Sequence, residues 1–273
     1  MEAKYVYFFG GGKADGKIEL KDTLGGKGAG LAEMANMGIP VPPGFTITSE
    51  ACSFYFENNK TYPEGLKDQV YENLSKIEKL TGARLGDEEN PLLLSVRSGA
   101  RVSMPGMMQT ILNLGLNEKT LPGLARRTNN ERFAYDSWRR LIQVYANVVL
   151  GVEGKFLEGV LEEKKKEMGF SLDTQLCTGD LKDIIEKMKK KVKELTDREC
   201  PSDPYEQLWE AIPAIFKSWN NPSAIAYRET NNIPDDWGTA VNVQAMVFGN
   251  MGDKSGAGVV FSRDPSTGER KLF

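Results

Sequence analysis

The 273-residue chain contains no histidine. That absence removes a histidine nucleophile, a histidine general base and any histidine metal ligand from whatever this chain does by itself. Its three cysteines, Cys52, Cys177 and Cys200, lie far apart and form no C-x-x-C pair. An odd count with no framework spacing fits a reducing compartment, and a cytoplasmic protein is expected. No apolar run approaches the length of a membrane span. The opening MEAKYVYFFGGG lacks the long apolar stretch and small-residue cleavage site of a secretory leader. With a formal net charge of −3 and no long basic tract, neither a nucleic-acid nor a membrane partner is expected. What is present, 40% hydrophobic and 27% charged residues, suits a globular chain long enough for a substantial core and more than one domain.

The most informative stretch is Ser95–Leu116, SVRSGARVSMPGMMQTILNLGL. An apolar run, Leu92–Val96, reads as a strand and leads directly into Arg97. Small, flexible or polar residues follow: Ser98, Gly99, Ala100, Ser103, Pro105 and Gly106. Such residues let backbone N–H groups approach an anion, and a fixed arginine adds charge and a forked donor. The stretch reads as a lid over phosphates; it fits equally a plain hairpin with a surface arginine. A second segment, LGGKGAGLAEM from Leu24 to Met34, puts glycines and Lys27 at the start of a helical pattern. A helix N-terminus is a natural anion site, and Lys27 can reach a phosphate as a point charge. By itself, however, Lys27 is also read as an exposed loop lysine. The Walker A spacing is absent.

Periodicity organises the rest. Tyr5–Phe9 and Phe45–Thr48 read as short strands, Lys27–Met37 and Leu66–Leu80 as helices, and Ser49 as the N-cap of another helix. From Leu121 the apolar residues recur at helical spacing, so residues 117–232 are expected to be mainly helical. Interleaved glutamates make the lysine runs 164–166 and 189–191 solvated helix faces. Strand character returns after Trp237: Ala240–Phe248 and Gly256–Ser262 read as two strands of a hairpin.

Four runs together, GGKGAGLAEMANMGIPVPPGFTIT, LLLSVRSGARVSMPGMMQTILNLGLN, RFAYDSWRRLIQVYANVV and DDWGTAVNVQAMVFGNMGDKSGAGVVFSRDPSTGE, resemble the nucleotide-binding part of the pyruvate, phosphate dikinase family. The resemblance implies an α+β, ATP-grasp-like nucleotide-binding domain, incomplete at its C-terminus, with a mainly helical inserted region. On that reading residues 1–116 form a grasp lobe with the phosphate lid, 117–232 a helical subdomain, and 233–273 the start of a second β-rich lobe. The stop at Phe273 then suggests a truncated piece that is inactive alone. The resemblance places Lys27 and Arg97 on the ATP phosphates, with Ser98 and Gly99 in the lid and Gly106 at its tip. Met108 packs near the nucleotide or in the core. Gln244, Ala245 and Met246 lie on a strand whose backbone reads adenine. Mg²⁺ would accompany ATP, its ligands falling beyond Phe273. The implied partners are ATP or AMP, phosphate, a phosphohistidine carrier domain and a pyruvate domain of a homo-oligomeric parent. A phosphoenolpyruvate synthase-like fragment and a non-catalytic nucleotide-binding module are the alternatives.

Overall fold

The computed structural model describes residues 3–273 and combines helices with one antiparallel sheet. In chain order the elements begin with β1 (Val6–Gly10), β2 (Lys13–Ala14), α1 (Lys21–Asn36), β3 (Gly44–Ile47), α2 (Ser49–Glu57) and α3 (Leu66–Thr81). The hairpin strands β4 (Leu94–Gly99) and β5 (Thr110–Leu114) follow. Six helices come next: α4 (Leu121–Thr128), α5 (Glu131–Val148), α6 (Gly154–Met168), α7 (Thr178–Thr196), α8 (Pro204–Ser218) and α9 (Pro222–Thr230). A last strand, β6 (Ala240–Ala245), ends the regular structure. The sheet runs β2-β1-β3-β6-β4-β5.

The alternation of the central strands explains how the sheet is covered. Phe45, Ile47, Val96, Val241 and Val243 belong to one apolar cluster with Val70 and Leu74 of α3 and Leu208, Ile212 and Ile215 of α8. Residues in between point the other way, because side chains alternate across a strand. They are polar: Thr46, Arg97, Asn242 and Gln244. α1 packs over this second face, against β3, β6 and β4. It lies close because glycine faces the sheet. A Cβ on Gly28 would stand 2.7 Å from Thr46 Oγ1 and 3.0 Å from Asn242 Oδ1. Thr46 Oγ1 donates to that same Asn242 oxygen at 2.8 Å.

Between β5 and β6 all regular elements are helices among the described residues, and their buried faces follow the sequence periodicity. On α7 these are Leu181, Ile184, Ile185, Met188 and Val192. Two of the lysine expectations need correcting. Lys164 and Lys165 are buried rather than solvated: Lys164 pairs with Asp183 at 3.2 Å, and Lys165 with Glu162 at 2.6 Å and Asp173 at 3.1 Å. Their aliphatic stems cover apolar surface while the ammonium groups find carboxylates. The cap of α2 is Thr48, whose side chain accepts from Ala51 N, and Ser49 is the first helical residue.

The expected hairpin after Trp237 does not form among the described residues: β6 is the last strand. It lies inside the first sheet, paired with β3 on one edge and β4 on the other. With both edges taken, no following strand can join it. Residues 246–273 form no further strand or helix; Val259 and Val260 are exposed, and mutual backbone bonds between Phe261 and Phe273, both 3.0 Å, close the end of the tail on itself.

Candidate functional site

Lys27 and Arg97 come together from segments 70 residues apart at the edge of the polar sheet face. The chain reaches Lys27 through a break in α1: Gly25 has φ 68° and ψ 170°, so one helical turn ends and a new helix starts beyond it. Only glycine adopts this backbone without strain. A Cβ here would also lie 1.6 Å from the Gly99 carbonyl oxygen. The glycine run thus serves close packing. Gly25 meets the end of β4, Gly28 meets the sheet, and Gly26 N donates to the Ala100 carbonyl at 2.9 Å.

That approach ties the two segments together. Lys27 Nζ donates to the Ser98 carbonyl at 2.9 Å. Arg97, half-buried, donates through Nη2 to Gln244 Oε1. Its Nε is buried with no partner. Neither cation has a carboxylate in salt-bridge reach among the described residues. Burial, and then the neighbouring Arg97 charge, hold the Lys27 ammonium below its ordinary pKa of 10.5. Burial also lowers that of Arg97. Two like charges held close without a counter-charge are costly in the free protein and favourable for an incoming anion.

Lys27 lines an open cleft of about 890 Å³; Arg97, next to the wall residue Ser98 in sequence, is not itself part of the wall. Gly26, Lys27, Ser98, Gly106, Met108 and Thr110 contribute to its walls, so the lid and Lys27 face one cleft. At Gly106, φ is 74° and a side chain would meet nothing within 4 Å. This is an exposed turn that a bulky side chain would stiffen without clashing. Gly99 stands where the lid leaves the sheet. It ends β4 with its Cα against the sheet, where a Cβ would come 2.5 Å from Asn242 Nδ2.

On the strand expected to read adenine, the backbone amides and the Gln244 side chain have partners within the protein. Ala245 N donates to Pro43 O and Met246 N to Leu93 O, both at 2.9 Å. These two amides bond within the sheet region. The Gln244 side chain is buried and holds Arg97 instead. Gln244, Ala245 and Met246 do not line the cleft. Among the wall residues that a reading of the sequence does not single out are Val102, Met104 (a buried residue of the lid itself) and Thr110, which lies opposite Arg97 in the hairpin register. The Thr110 position follows once Ser95–Leu116 is read as a hairpin; Met104 carries no local signal.

Among the described residues, no three His, Cys, Asp or Glu side chains gather into a metal site. No helix among them is long and apolar enough to cross a membrane.

Comparison with known proteins gives a consistent result. Residues 21–81 and 61–273 match the family described as "Pyruvate phosphate dikinase, AMP/ATP-binding domain". The chain is 53% identical over 271 residues to the pyruvate, phosphate dikinase of Rhizobium meliloti (strain 1021). It is 51% identical over 272 residues to that of Clostridium symbiosum. It is 51% identical over 270 residues to the chloroplastic enzyme of Flaveria trinervia. In each case 99% of this chain is covered, but only 30%, 31% and 28% of the relative. The chain spans less than a third of the length of these curated relatives.

Proposed function

The chain belongs to the pyruvate phosphate dikinase AMP/ATP-binding domain family, and we propose on that footing that the Lys27–Arg97 cleft holds the phosphates of ATP. The observation that carries the reading is a pair of uncompensated cations: Lys27 in the wall of a cleft it shares with a glycine-containing lid, and Arg97 close enough to depress the Lys27 pKa. The orphaned Arg97 Nε and the open cleft fit a polyanion. When bound, ATP would supply the phosphoryl groups to be transferred. Lys27 gives a point charge and Arg97 a planar fork, and both neutralise phosphate oxygens. The lid residues Ser98–Met108 shield the phosphates from water. Mg²⁺ would accompany the ATP phosphates, and among the described residues no three His, Cys, Asp or Glu side chains gather to hold it. Its ligands are proposed to lie outside this chain.

The wider activity is that of the longer relatives. With no histidine in this chain, the phosphohistidine and pyruvate sites are proposed to reside on other domains, with residues 117–232 as a helical insertion in an ATP-grasp-like unit. A cytoplasmic setting is proposed as well, although the Flaveria relative is named chloroplastic. The synthase-like and non-catalytic alternatives are not favoured, since the relatives compared are dikinases.

The test is a graft: this chain replaces the matching segment of the Rhizobium meliloti relative. ATP-dependent phosphorylation of pyruvate should survive the exchange. Arg97→Ala in the graft should slow the ATP half-reaction by about 10²–10³-fold, the usual loss for one aimed charge donor. Arg97→Lys should recover only part of it, because a point charge lacks the fork. A folded graft that ignored Arg97→Ala would refute the assignment.

A second expected result concerns protons. An anion between the cations draws Lys27 back toward 10.5. Affinity is therefore full below the lowered pKa of free Lys27 and declines as pH rises through it. Between that value and 10.5, binding should take up a proton. Calorimetry of ATP binding in two buffers of different ionisation heat should detect the uptake, and Lys27→Met should abolish it.

A further inference from the structure

Gln244 sits in the middle of the sheet, 6% exposed, on the strand that pairs with both β3 and β4. Its amide joins two groups of opposite polarity. Oε1 accepts from Arg97 Nη2, and Nε2 donates to the Pro42 carbonyl at 2.9 Å. A guanidinium only donates and a carbonyl only accepts. One amide orientation satisfies both; the flipped one would face donor to donor and acceptor to acceptor. The backbone beneath is equally fixed, with Gln244 opposite Ser95 on one side and Gly44 on the other. Arg97 is thus tied to the central strand rather than to the lid.

The tie is also electrically neutral. A carboxylate at the same place would hold the guanidinium at least as firmly but would cancel its charge. An apolar residue of similar size would leave the charge and lose the orientation.

We propose that Gln244 is a positioning residue for Arg97, fixing its guanidinium through a neutral acceptor so that the positive charge stays available to a polyphosphate. The inference rests on the reading of the Lys27–Arg97 cleft as a phosphate site. It assigns Gln244 a role through the arginine and none in contact with the base.

The test uses the 273-residue chain, ATP and inorganic triphosphate as probes, and four variants: Gln244→Leu, Gln244→Glu, Arg97→Ala and Arg97→Ala with Gln244→Leu. Circular dichroism confirms the fold of each. Gln244→Leu should weaken binding of both probes about 10-fold, within the range for a charge-assisted bond. In the Arg97→Ala background the same change should have no further effect, because Gln244 acts only through Arg97. Gln244→Glu should lose at least as much affinity as Arg97→Ala. Losses that add between Gln244→Leu and Arg97→Ala, or a Gln244→Glu chain that binds like the original, would overturn the proposal.

A readout without nucleotide separates this inference from the reading beneath it. In side-chain nitrogen NMR of the free chain, assigned with Arg97→Lys, the Arg97 guanidinium should show restricted rotation. Gln244→Leu should release it and Gln244→Glu should retain it. A freely rotating Arg97 in the original chain overturns the positioning role whatever ATP does. A restrained Arg97 in a chain that binds neither probe overturns the phosphate reading instead. Gln244 is then a structural tie only, and the proposal falls with that reading.

Discussion

Gly25→Ala should cost this chain about 4 kcal/mol or more, at the far end of what single substitutions do. The added Cβ would sit 1.6 Å from the Gly99 oxygen and 2.4 Å from the Gly99 carbonyl carbon. Both are backbone atoms, so no side-chain rotation relieves the overlap. The φ of 68° adds the strain of a left-handed residue bearing a side chain. Relief requires prising α1 away from the end of β4, which also parts Lys27 from Ser98. Denaturant melts should show a sharply lowered midpoint. Gly30→Ala is the control: it lies in the same helix, and a Cβ there meets nothing within 4 Å. It should be neutral or gain up to about 1 kcal/mol from better helix propensity. Equal stability of the two variants would show that the close approach of α1 to β4 is not as described.

The other large effect is expected far from the cleft. Arg139 on α5 is buried, with a side chain 2% exposed. It donates from Nε and Nη2 to Asp136 Oδ1 at 3.0 and 2.8 Å, and from Nη1 to Gln143 at 2.9 Å. Arg140 Nε holds the second Asp136 oxygen at 2.9 Å. Asp136→Ala leaves a buried guanidinium with Asp173 at 3.7 Å as its remaining carboxylate. Removing one partner of such a pair costs about 3–5 kcal/mol. The same pair predicts acid sensitivity. Burial pushes the Asp136 carboxyl up, but Arg139 and Arg140 outweigh it and hold it below its ordinary 3.8. Its contribution is thus complete above 3.8 and is lost as pH falls through the lowered value. Helical circular dichroism should show an acid transition in that window, weaker in Asp136→Asn. A titration identical in both proteins would remove Asp136 from the explanation.

Much of this is legible in the residues. Val241, Asn242, Val243 and Gln244 alternate as a strand with one apolar face should, and Leu181, Ile184, Ile185, Met188 and Val192 recur as a helix should. Lys27 and Arg97 stand out because small residues surround them, and the structure brings them together. The position of β6 between β3 and β4 is not legible. Pairing partners far apart in sequence leave no local trace, so a strand followed by Gly249-Asn250 looks like half of a hairpin. Gln244 draws attention as a polar residue on the candidate adenine strand. A buried polar residue on a strand signals a partner, but only the fold reveals that the partner is Arg97. Lys164 and Lys165 mislead for a related reason: interleaved charges look alike on a solvated face and on two helices locked face to face.

The central strand is also the last to be made. Thr46 and Asn242, bonded across the sheet, are separated by 196 positions, and β4 has its hairpin partner long before β6 emerges. At ribosomal speeds of about 5–20 residues per second, the stretch from β5 to β6 takes roughly 7–26 s to appear. Throughout that interval the facing edges of β3 and β4 have no partner, and the apolar face of the sheet lacks α8 for much of it. Exposed strand edges invite pairing with other chains. A nascent chain of this topology therefore depends on shelter during synthesis, and a ribosome stalled within α6 or α7 would release an aggregation-prone product rather than a small folded domain.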